Sequence, residues 1–517
     1  MATQWQTFPI EFRGGLISNL SPLQHGTNAV GSATILQNFE VTKEGGYSKI
    51  NGYEKYDPDV VPGSGPVLGI KVINAGEVLA VRSGPSALYG GSTSQAYIST
   101  GSGWSNVFDA PLNGGKVRFA ELNFGAGHKV LMVDSVNYPA VFDDTTNVIT
   151  EIANADVRGA SFVAVFKTTV FYAKGTNLYF TAPSSFDDFS VATGAGVINT
   201  GHQITGLAVF RDQLIVFSRN SIKRITGTSV ADFVVSPITD RIGCINADTI
   251  QEVGGDIMYV APDGIRLLSA TDRIGDFGLD IASDVIAKDA YGFLQSTDTF
   301  ASLVLREKAQ YRIFGYVASE QSQSAKGLIA TKLISQGGSG VAWSTTKGIK
   351  VYCCDSKYTA GYDETTIFAN GDGYVYELDT GANFDGDIIE AIYESPYMPI
   401  SDPQVRKTFY KMTLYAEPLG SMSLDVNLKY DFGTATNTGV VQPATLNVAS
   451  TGSSVFIFGQ TGAVFGSATF GGKLDKVYNK NIIGSGKTVA LRIEDSSLNP
   501  SFTLDTILLE FRQNDRQ

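Results

Sequence analysis

Residues 164–181 read AVFKTTVFYAKGTNLYFT, and residues 208–226 and 251–269 repeat the pattern as AVFRDQLIVFSRNSIKRIT and QEVGGDIMYVAPDGIRLLS. Each stretch has an apolar strand, a short polar turn, a second apolar strand, another turn and a third strand. β-Branched and aromatic residues favour strands, and short polar turns join antiparallel neighbours. The repeat period of about 40 to 45 residues is typical of four-stranded propeller blades.

Similar clusters of short strands occupy most of the chain. A single blade cannot bury both of its faces, whereas blades stacked around an axis can, and circular closure limits exposed edges. We therefore predict an all-β protein in which residues 60–389 form a β-propeller of roughly seven blades. The predicted strand clusters lie at 67–99, 116–142, 161–181, 206–226, 247–269, 300–332 and 351–378.

The two ends of the chain lack this repeat. Residues 390–517 carry longer strands, and LDVNLKYD places Leu424, Val426 and Leu428 on one face. Residues 436–472 are rich in Gly, Thr, Ser and Asn, which is typical of long loops. We predict a β-sandwich for residues 390–517 and an extended arm with a hairpin for residues 1–59. The best helical pattern covers Leu279–Lys288.

Charge and hydropathy exclude several classes of protein. The 517-residue chain has 39 Lys and Arg against 51 Asp and Glu, a net charge of −12, so a broad basic face for nucleic acid is not expected. No apolar run reaches the roughly 18 residues of a membrane span, so we predict no membrane anchor. The N-terminus has no basic or apolar leader region, so we expect synthesis and folding in a cytoplasm.

Cysteine and histidine are scarce. Cys244, Cys353 and Cys354 show no metal-ligand spacing, and we interpret them as small buried thiols. Histidine occurs only as His25, His128 and His202, which weakens every catalytic hypothesis that needs an imidazole.

Residues 9–56 read PIEFRGGLISNLSPLQHGTNAVGSATILQNFEVTKEGGYSKINGYEKY. A Gly-Gly turn and an Asn-x-x-Pro segment are followed by an Asn-Phe strand, a Gly-Gly hairpin and INGYE. This order resembles the opening of the tail nozzle, or tail tube terminal, proteins of short-tailed (podovirus-type) bacteriophages. Residues 166–189, 240–269 and 371–386 also resemble that family, so the resemblance covers most of residues 10–390. The family usually carries an arginine shortly after the hairpin, where this chain has Gly45–Lys49.

The resemblance implies a virion protein of the phage tail, made in the host cytoplasm. Family members place a propeller-like body in a ring, so the expected partners are further copies of the chain, as a hexamer. The ring is expected to lie between an adaptor near the portal and a distal needle, spike or fibre protein. Viral DNA passes through its lumen during ejection without specific binding. The resemblance implies no enzyme activity, no catalytic residue, no cofactor and no metal.

Several motifs resemble parts of known sites. Gly484–Thr488 (GSGKT) resembles the end of a phosphate-binding loop, but Asn481 stands where the first glycine belongs and a strand pattern follows, so we interpret it as a hairpin turn. Asp379–Gly381 (DTG) resembles an aspartic-protease loop, but that chemistry needs two carboxylates and no second copy exists. Gly371–Gly373 and Asp385–Asp387 could offer oxygen ligands to Ca²⁺, without EF-hand spacing.

Two further sets of residues suit a glycan-binding or glycan-cleaving propeller. Paired carboxylates could serve glycoside hydrolysis, although turn residues are expected at these positions: Asp187, Asp188, Asp363, Glu364, Asp372, Asp385 and Asp387. Strand aromatics could form a carbohydrate platform, although packing between blades is the plainer interpretation: Phe162, Phe166, Phe171, Tyr172, Tyr179, Phe180, Phe210, Phe217 and Tyr259. The sequence therefore favours a nozzle-like ring subunit, with a tail-associated glycan-binding or glycan-cleaving propeller as the alternative. Contacts with neighbours are expected from Thr7–Tyr53 and from residues 436–472.

Overall fold

The computed structural model describes residues 5–73, 76–124, 127–269, 281–335, 338–359, 363–432, 446–448 and 476–514. Within these ranges the fold is all-β, as the sequence predicts, and the α-helices that lie wholly inside them are α1 (Pro22–Asn28) and α2 (Ala287–Gln295). Short 3₁₀ turns lie at Val191–Thr193, Ala247–Thr249, Asp284–Ile286 and Ser322–Ser324. No helix in these ranges is long and apolar enough to cross a membrane.

The strands are short and follow one another closely. The N-terminal segment contains β1 (Gln6–Glu11), β2 (Ile35–Gln37), β3 (Phe39–Val41), β4 (Tyr47–Lys49) and β5 (Tyr53–Lys55). Three four-stranded antiparallel sheets come next. The first sheet contains β6 (Ser64–Val72), β7 (Val78–Pro85), β8 (Ser92–Ser99) and β9 (Ser105–Asp109). The second contains β10 (Arg118–Leu122), β11 (Lys129–Val133), β12 (Ala140–Asp143) and β13 (Val148–Glu151). The third contains β14 (Phe162–Phe166), β15 (Thr169–Lys174), β16 (Asn177–Phe180) and β17 (Gly196–Asn199).

Four more sheets complete the middle of the chain. The fourth is β18 (Ile204–Phe210), β19 (Gln213–Ser218), β20 (Ile222–Thr226) and β21 (Val234–Thr239), and the three-stranded fifth is β22 (Gln251–Val253), β23 (Asp256–Ala261) and β24 (Gly264–Leu267). The sixth begins with β25 (Thr299–Leu305), β26 (Gln310–Tyr316), β27 (Lys326–Ser335) and β28 (Gly338–Lys347). The seventh is β29 (Cys353–Tyr358), β30 (Glu364–Ala369) and β31 (Val375–Leu378), with β5 as its fourth strand.

Apolar side chains pack between consecutive sheets. Phe166 and Phe171 of the third sheet share a buried cluster with Leu214 and Val216 of the fourth. Apolar clusters of the same kind lie between the other pairs of consecutive sheets. A further cluster lies between the first and the seventh sheet. Val67, Ile70, Val72 and Val78 of the first sheet pack with Ile367, Ala369 and Val375 of the seventh. The small antiparallel sheets therefore have a propeller-like arrangement, since burying both faces of a small sheet requires a neighbour on each side.

Beyond the seventh sheet lie longer strands that form two larger sheets. They are β32 (Ala391–Glu394), β33 (Lys407–Pro418), β34 (Met422–Tyr430), β35 (Leu446–Val448), β36 (Val477–Gly486), β37 (Val489–Asp495) and β38 (Phe502–Gln513). One sheet has the order β3-β4-β38-β33-β36, with β1 also paired to β38, and the other extends the sixth sheet from β28 through β2, β32, β37 and β34 to β35. Met412, Leu424 and Leu509 belong to the core that the two sheets share.

The N-terminal segment is paired within its own chain, where the sequence had predicted an extended arm. β1 and β4 pair with β38, β2 lies between β28 and β32, and β5 closes the seventh sheet. Gly52 permits the last of these contacts, because a Cβ there would stand 1.7 Å from the carbonyl oxygen of Asn383. These strands therefore pair within the chain, where a free arm would have added its strands to a neighbour.

The structure also corrects one local prediction and leaves another untested. The helix predicted over Leu279–Lys288 begins at Ala287 instead: Ser283 and Asp284 enter a 3₁₀ turn, since such side chains favour turns and helix starts over helix interiors. Residues 279 and 280 lie outside the described ranges. The predicted contact loop at 436–472 also lies outside them, apart from β35 at Leu446–Val448.

Candidate functional site

The first strands of the seven sheets surround a cavity of about 230 Å³. Its walls include one residue from each sheet in turn: Lys71 (β6), Arg118 (β10), Phe162 (β14), Leu207 (β18), Gln251 (β22), Ser302 (β25) and Asp355 (β29). Because neighbouring sheets meet here, charges from different parts of the sequence come into contact. The cavity could hold a ligand. Alternatively, the charged side chains that line it could fasten the sheets to one another.

Asp248 joins the second and fifth sheets. Its carboxylate accepts two hydrogen bonds from Arg118, from Nε at 3.0 Å and from Nη2 at 3.0 Å, and Lys116 Nζ lies 3.1 Å from Oδ2. Burial alone would raise the pKa of Asp248, but Lys116 and Arg118 outweigh it and lower the pKa. The bidentate geometry fixes the orientation of both groups, so this cluster fastens β10 to the turn before β22.

Glu121 joins the first, second and seventh sheets. Its Oε1 lies 2.9 Å from Lys71 Nζ, and its Oε2 accepts a hydrogen bond from Lys357 Nζ at 2.7 Å. Lys71 also contacts Asp355 of β29 at 3.1 Å. His128 lies between two carboxylates, with Nε2 3.1 Å from Glu121 and Nδ1 2.7 Å from Asp144.

Acid is expected to weaken the fold through Glu121. Burial would raise the pKa of this carboxyl, but Lys71 and Lys357 lower it from 4.5 to about 2. Because the folded pKa is depressed, the stabilisation is fully present above pH 4.5 and is lost as pH falls towards about 2. We expect Glu121→Gln to lower the melting temperature at neutral pH. Between pH 4.5 and about 2, the melting temperature of this variant should decrease less steeply than that of the parent chain. Exposed Glu44→Gln is the control, and equal acid profiles for the two variants would contradict this role.

Two of the three cysteines, Cys244 and Cys353, are buried as predicted, whereas Cys354 is only partly buried. Cys244 and Cys353 are fully packed, and burial raises the pKa of each thiol to about 12, which makes them poor nucleophiles. Cys354 lies beside Cys353 in the cavity wall and donates to the carbonyl oxygen of Ser302. Burial likewise raises its pKa well above the usual value.

The GSGKT and DTG motifs have structural roles in the fold. Gly484–Gly486 ends β36 and Val489 begins β37, but β36 pairs with β33 and β37 pairs with β32 and β34, so GSGKT connects two sheets and the predicted hairpin turn is wrong. Asp379 follows β31 and contacts Arg312 at 3.2 Å and Lys308 at 2.8 Å, and both cations also pair with Glu40 of β3. The DTG carboxylate therefore belongs to a buried ion-pair network that links the N-terminal segment to the sixth and seventh sheets.

The predicted carboxylate set does not come together at one site. Asp188 accepts from the backbone of Ser190, Asp372 from Tyr374, and Asp385 pairs with Lys55, while Glu364 binds Arg306. Asp387 accepts a bond from Gln323, and Asp187 borders a separate cavity. Among the described residues, no group of three or more His, Cys, Asp or Glu could hold a metal ion, at Gly371–Gly373, Asp385–Asp387 or elsewhere.

The predicted aromatic set lies between the sheets. Phe166, Phe171, Tyr172, Phe180, Phe217 and Tyr259 are buried, and the rings of Phe171 and Phe180 lie 5.6 Å apart. Phe162 is the one member of this set that lines the central cavity. The residues that sequence reasoning missed are the central charges Lys71, Lys116, Arg118, Glu121, Asp248 and Asp355. In the sequence, each of these residues shows only as a polar residue within a predicted apolar strand. That pattern does not identify the residue with which it pairs.

Comparisons with known proteins identify no family for this chain. No protein-family model matches the chain, and no curated protein matches it in sequence. Similar solved structures include the computationally designed Ika8 protein, at 11% identity over 63% of this chain and 99% of that one, with a TM-score of 0.33. The CNH domain of AfRom2 matches at 11% identity over 64% and 99%, with a TM-score of 0.36.

A third similar structure is larger than the matched region. The extracellular domain of a putative one-component system from B. thetaiotaomicron is 9% identical over 72% of this chain, with a TM-score of 0.39. The match spans 44% of that domain. Likenesses this distant carry no argument about fold or activity, and the description of the chain as an all-β protein of small, propeller-like antiparallel sheets rests on its own strand pairing.

Proposed function

We propose that the chain is a structural virion protein, a ring-forming nozzle subunit of a short phage tail. The observation that carries the proposal is the route of the N-terminal segment, which is the part whose sequence resembles that family. β1–β4 belong to the two larger sheets and β5 to the seventh small sheet. The segment ties both parts of the molecule into one body, which suits a subunit that transmits force within a tail.

In this proposal the seven small sheets are the blades of a closed propeller, and the two larger sheets form a β-sandwich. β5 supplies the last strand of the seventh blade from the other end of the chain, so closure does not depend on the last repeat alone. The paired charges of the central cavity support a structural role, because each carboxylate there neutralises cations from another sheet. The proposed domains are residues 1–59, 60–389 and 390–517.

The proposed partners follow from the ring. Further copies of the chain form it, with six as the expected number, because a repeated head-to-tail interface closes when the rotation per subunit divides the circle. An adaptor lies on one side and a distal needle, spike or fibre on the other. The net charge of −12 disfavours retention of DNA, so the lumen guides DNA without specific binding. The proposed role needs neither a catalytic residue nor a cofactor.

Immunogold electron microscopy of the tailed virus that encodes this chain tests the proposal. Antibody against the purified chain is expected to label intact virions at the lower end of the tail. Antibody adsorbed with the purified chain is the control and should leave the tails unlabelled. Virions that contain no peptide of this chain by mass spectrometry, together with unlabelled tails, would refute the proposal.

A further inference from the structure

The central cavity combines apolar walls with charged groups. Its volume is about 230 Å³, and an apolar cavity of about 150 Å³ is known to be large enough to bind benzene. Val163, Leu207 and Ala301 contribute apolar wall, and Phe162 contributes an aromatic ring. The cavity therefore has room for a small organic molecule with an apolar body.

The charges that line this cavity do not balance. Three cations and two carboxylates take part: Lys71, Lys116, Arg118, Asp248 and Asp355. Asp355 is already paired with Lys71. Asp248 is paired with both Lys116 and Arg118. Glu121 and Lys357, beside Lys71, add one charge of each sign. One positive charge is therefore left over, and in a partly buried space it favours a bound anion, because a desolvated charge without a counter-charge is costly.

Arg118 keeps one edge of its guanidinium free. Asp248 occupies the other edge, accepting from Nε and from Nη2 at 3.0 Å each, and Nη1 has no hydrogen-bond partner among the described residues. The Phe162 ring centroid lies 4.8 Å from Cζ and supports the plane of the group. The Arg118 side chain is 24% exposed, so solvent reaches it. Since a guanidinium offers five N–H donors in a planar fork, the edge formed by Nη1 and Nη2 can bind a second planar anion through two hydrogen bonds.

We propose that the central cavity binds a small monocarboxylate with an apolar body. The carboxylate accepts two hydrogen bonds from the free edge of Arg118, and its charge offsets the surplus cation. Lys116 adds attraction, because its Nζ lies 3.1 Å from the Asp248 carboxylate that Arg118 also holds. The apolar body packs against Val163 and Leu207. The inference is independent of the proposed tail function, because it depends only on groups within one chain.

Isothermal titration of the full chain with benzoate tests the inference. Saturable binding is expected. Arg118→Lys keeps the positive charge but cannot offer a second planar edge, so it should weaken binding by about tenfold or more. Arg266→Lys is the matched control. Arg266 makes the same two hydrogen bonds, from Nε and Nη2, to Asp263, but it lies outside the cavity wall, so its replacement should leave the affinity unchanged.

A second variant and two further probes separate charge from shape. Leu207→Trp fills the apolar part of the cavity and leaves every lining charge in place, so it should abolish benzoate binding even if Arg118→Lys does not fold. Benzamide, the uncharged counterpart of benzoate, should not bind, and inorganic phosphate should bind more weakly than benzoate. The inference is overturned if benzoate shows no saturable binding, if either cavity variant binds it as well as the parent chain does, or if benzamide or phosphate binds as tightly as benzoate.

Discussion

Lys49→Met is expected to lower the free energy of unfolding by about 3–5 kcal/mol, because it leaves a buried carboxylate without its cation. Lys49 of β4 and Asp495 at the end of β37 are each 1% exposed as side chains, and Nζ lies 2.7 Å from Oδ2. The ammonium also donates to the carbonyl oxygens of Ser497 and Asn499 at 3.3 Å. Three groups therefore lose their shared partner in one substitution. Urea denaturation followed by fluorescence measures the change.

Lys411→Met is the control for this prediction. Lys411 lies on β33 and pairs with Glu510 at 3.6 Å, with both side chains more than a third exposed. Exposed pairs of this kind contribute about 0–1 kcal/mol, so the control should be close to the parent chain. A loss at Lys49 no larger than the loss at Lys411 would show that the N-terminal segment is not anchored through this pair.

Tyr53→Ala is expected to destabilise the chain by about 3–5 kcal/mol, the usual cost of removing a large buried aromatic side chain. Tyr53 is 8% exposed and belongs to β5, the strand that completes the seventh sheet. Its ring centroid lies 5.1 Å from those of Phe368, Tyr376 and Phe384. The substitution removes the side chain that holds β5 against β31, and hydrogen exchange of the seventh sheet should rise along with the loss of stability.

Tyr358→Ala serves as its matched control. Tyr358 lies on β29 of the same sheet but is 44% exposed, so its removal should change stability little. Unchanged exchange in β31 after Tyr53→Ala would mean that the N-terminal strand does not stabilise the seventh sheet.

Sequence patterns located the strands where the pairing is local. In the third sheet the predicted strands Ser161–Phe166, Thr169–Ala173 and Asn177–Thr181 agree within a residue with β14, β15 and β16. Short turns and alternating burial specify such pairs. The fourth strand, β17, was missed because Gly196–Asn199 is short, half-exposed and lacks a continuous apolar face. β36 was missed for a related reason, since it sits at a sheet edge beside the Gly-rich stretch.

Pairings between distant parts of the chain could not be read from the sequence. Strands β1, β2, β4 and β5 have three to six residues each and join partners more than 300 positions away. The central charges posed the same difficulty: Lys71, Glu121 and Lys357 belong to three different repeats. A single charged residue in an apolar strand indicates that a partner of opposite charge exists, but the sequence does not identify that partner. The strand that follows GSGKT and the burial of Cys244 and Cys353 could be predicted, because both depend on local context.

The mass of the purified chain in solution, measured by light scattering over a range of concentrations, tests the central claim most directly. A nozzle-like ring subunit predicts a discrete large species, with six times the chain mass of 55.2 kDa as the expected value. A mass of 55.2 kDa at every concentration would contradict self-assembly of the chain into a ring.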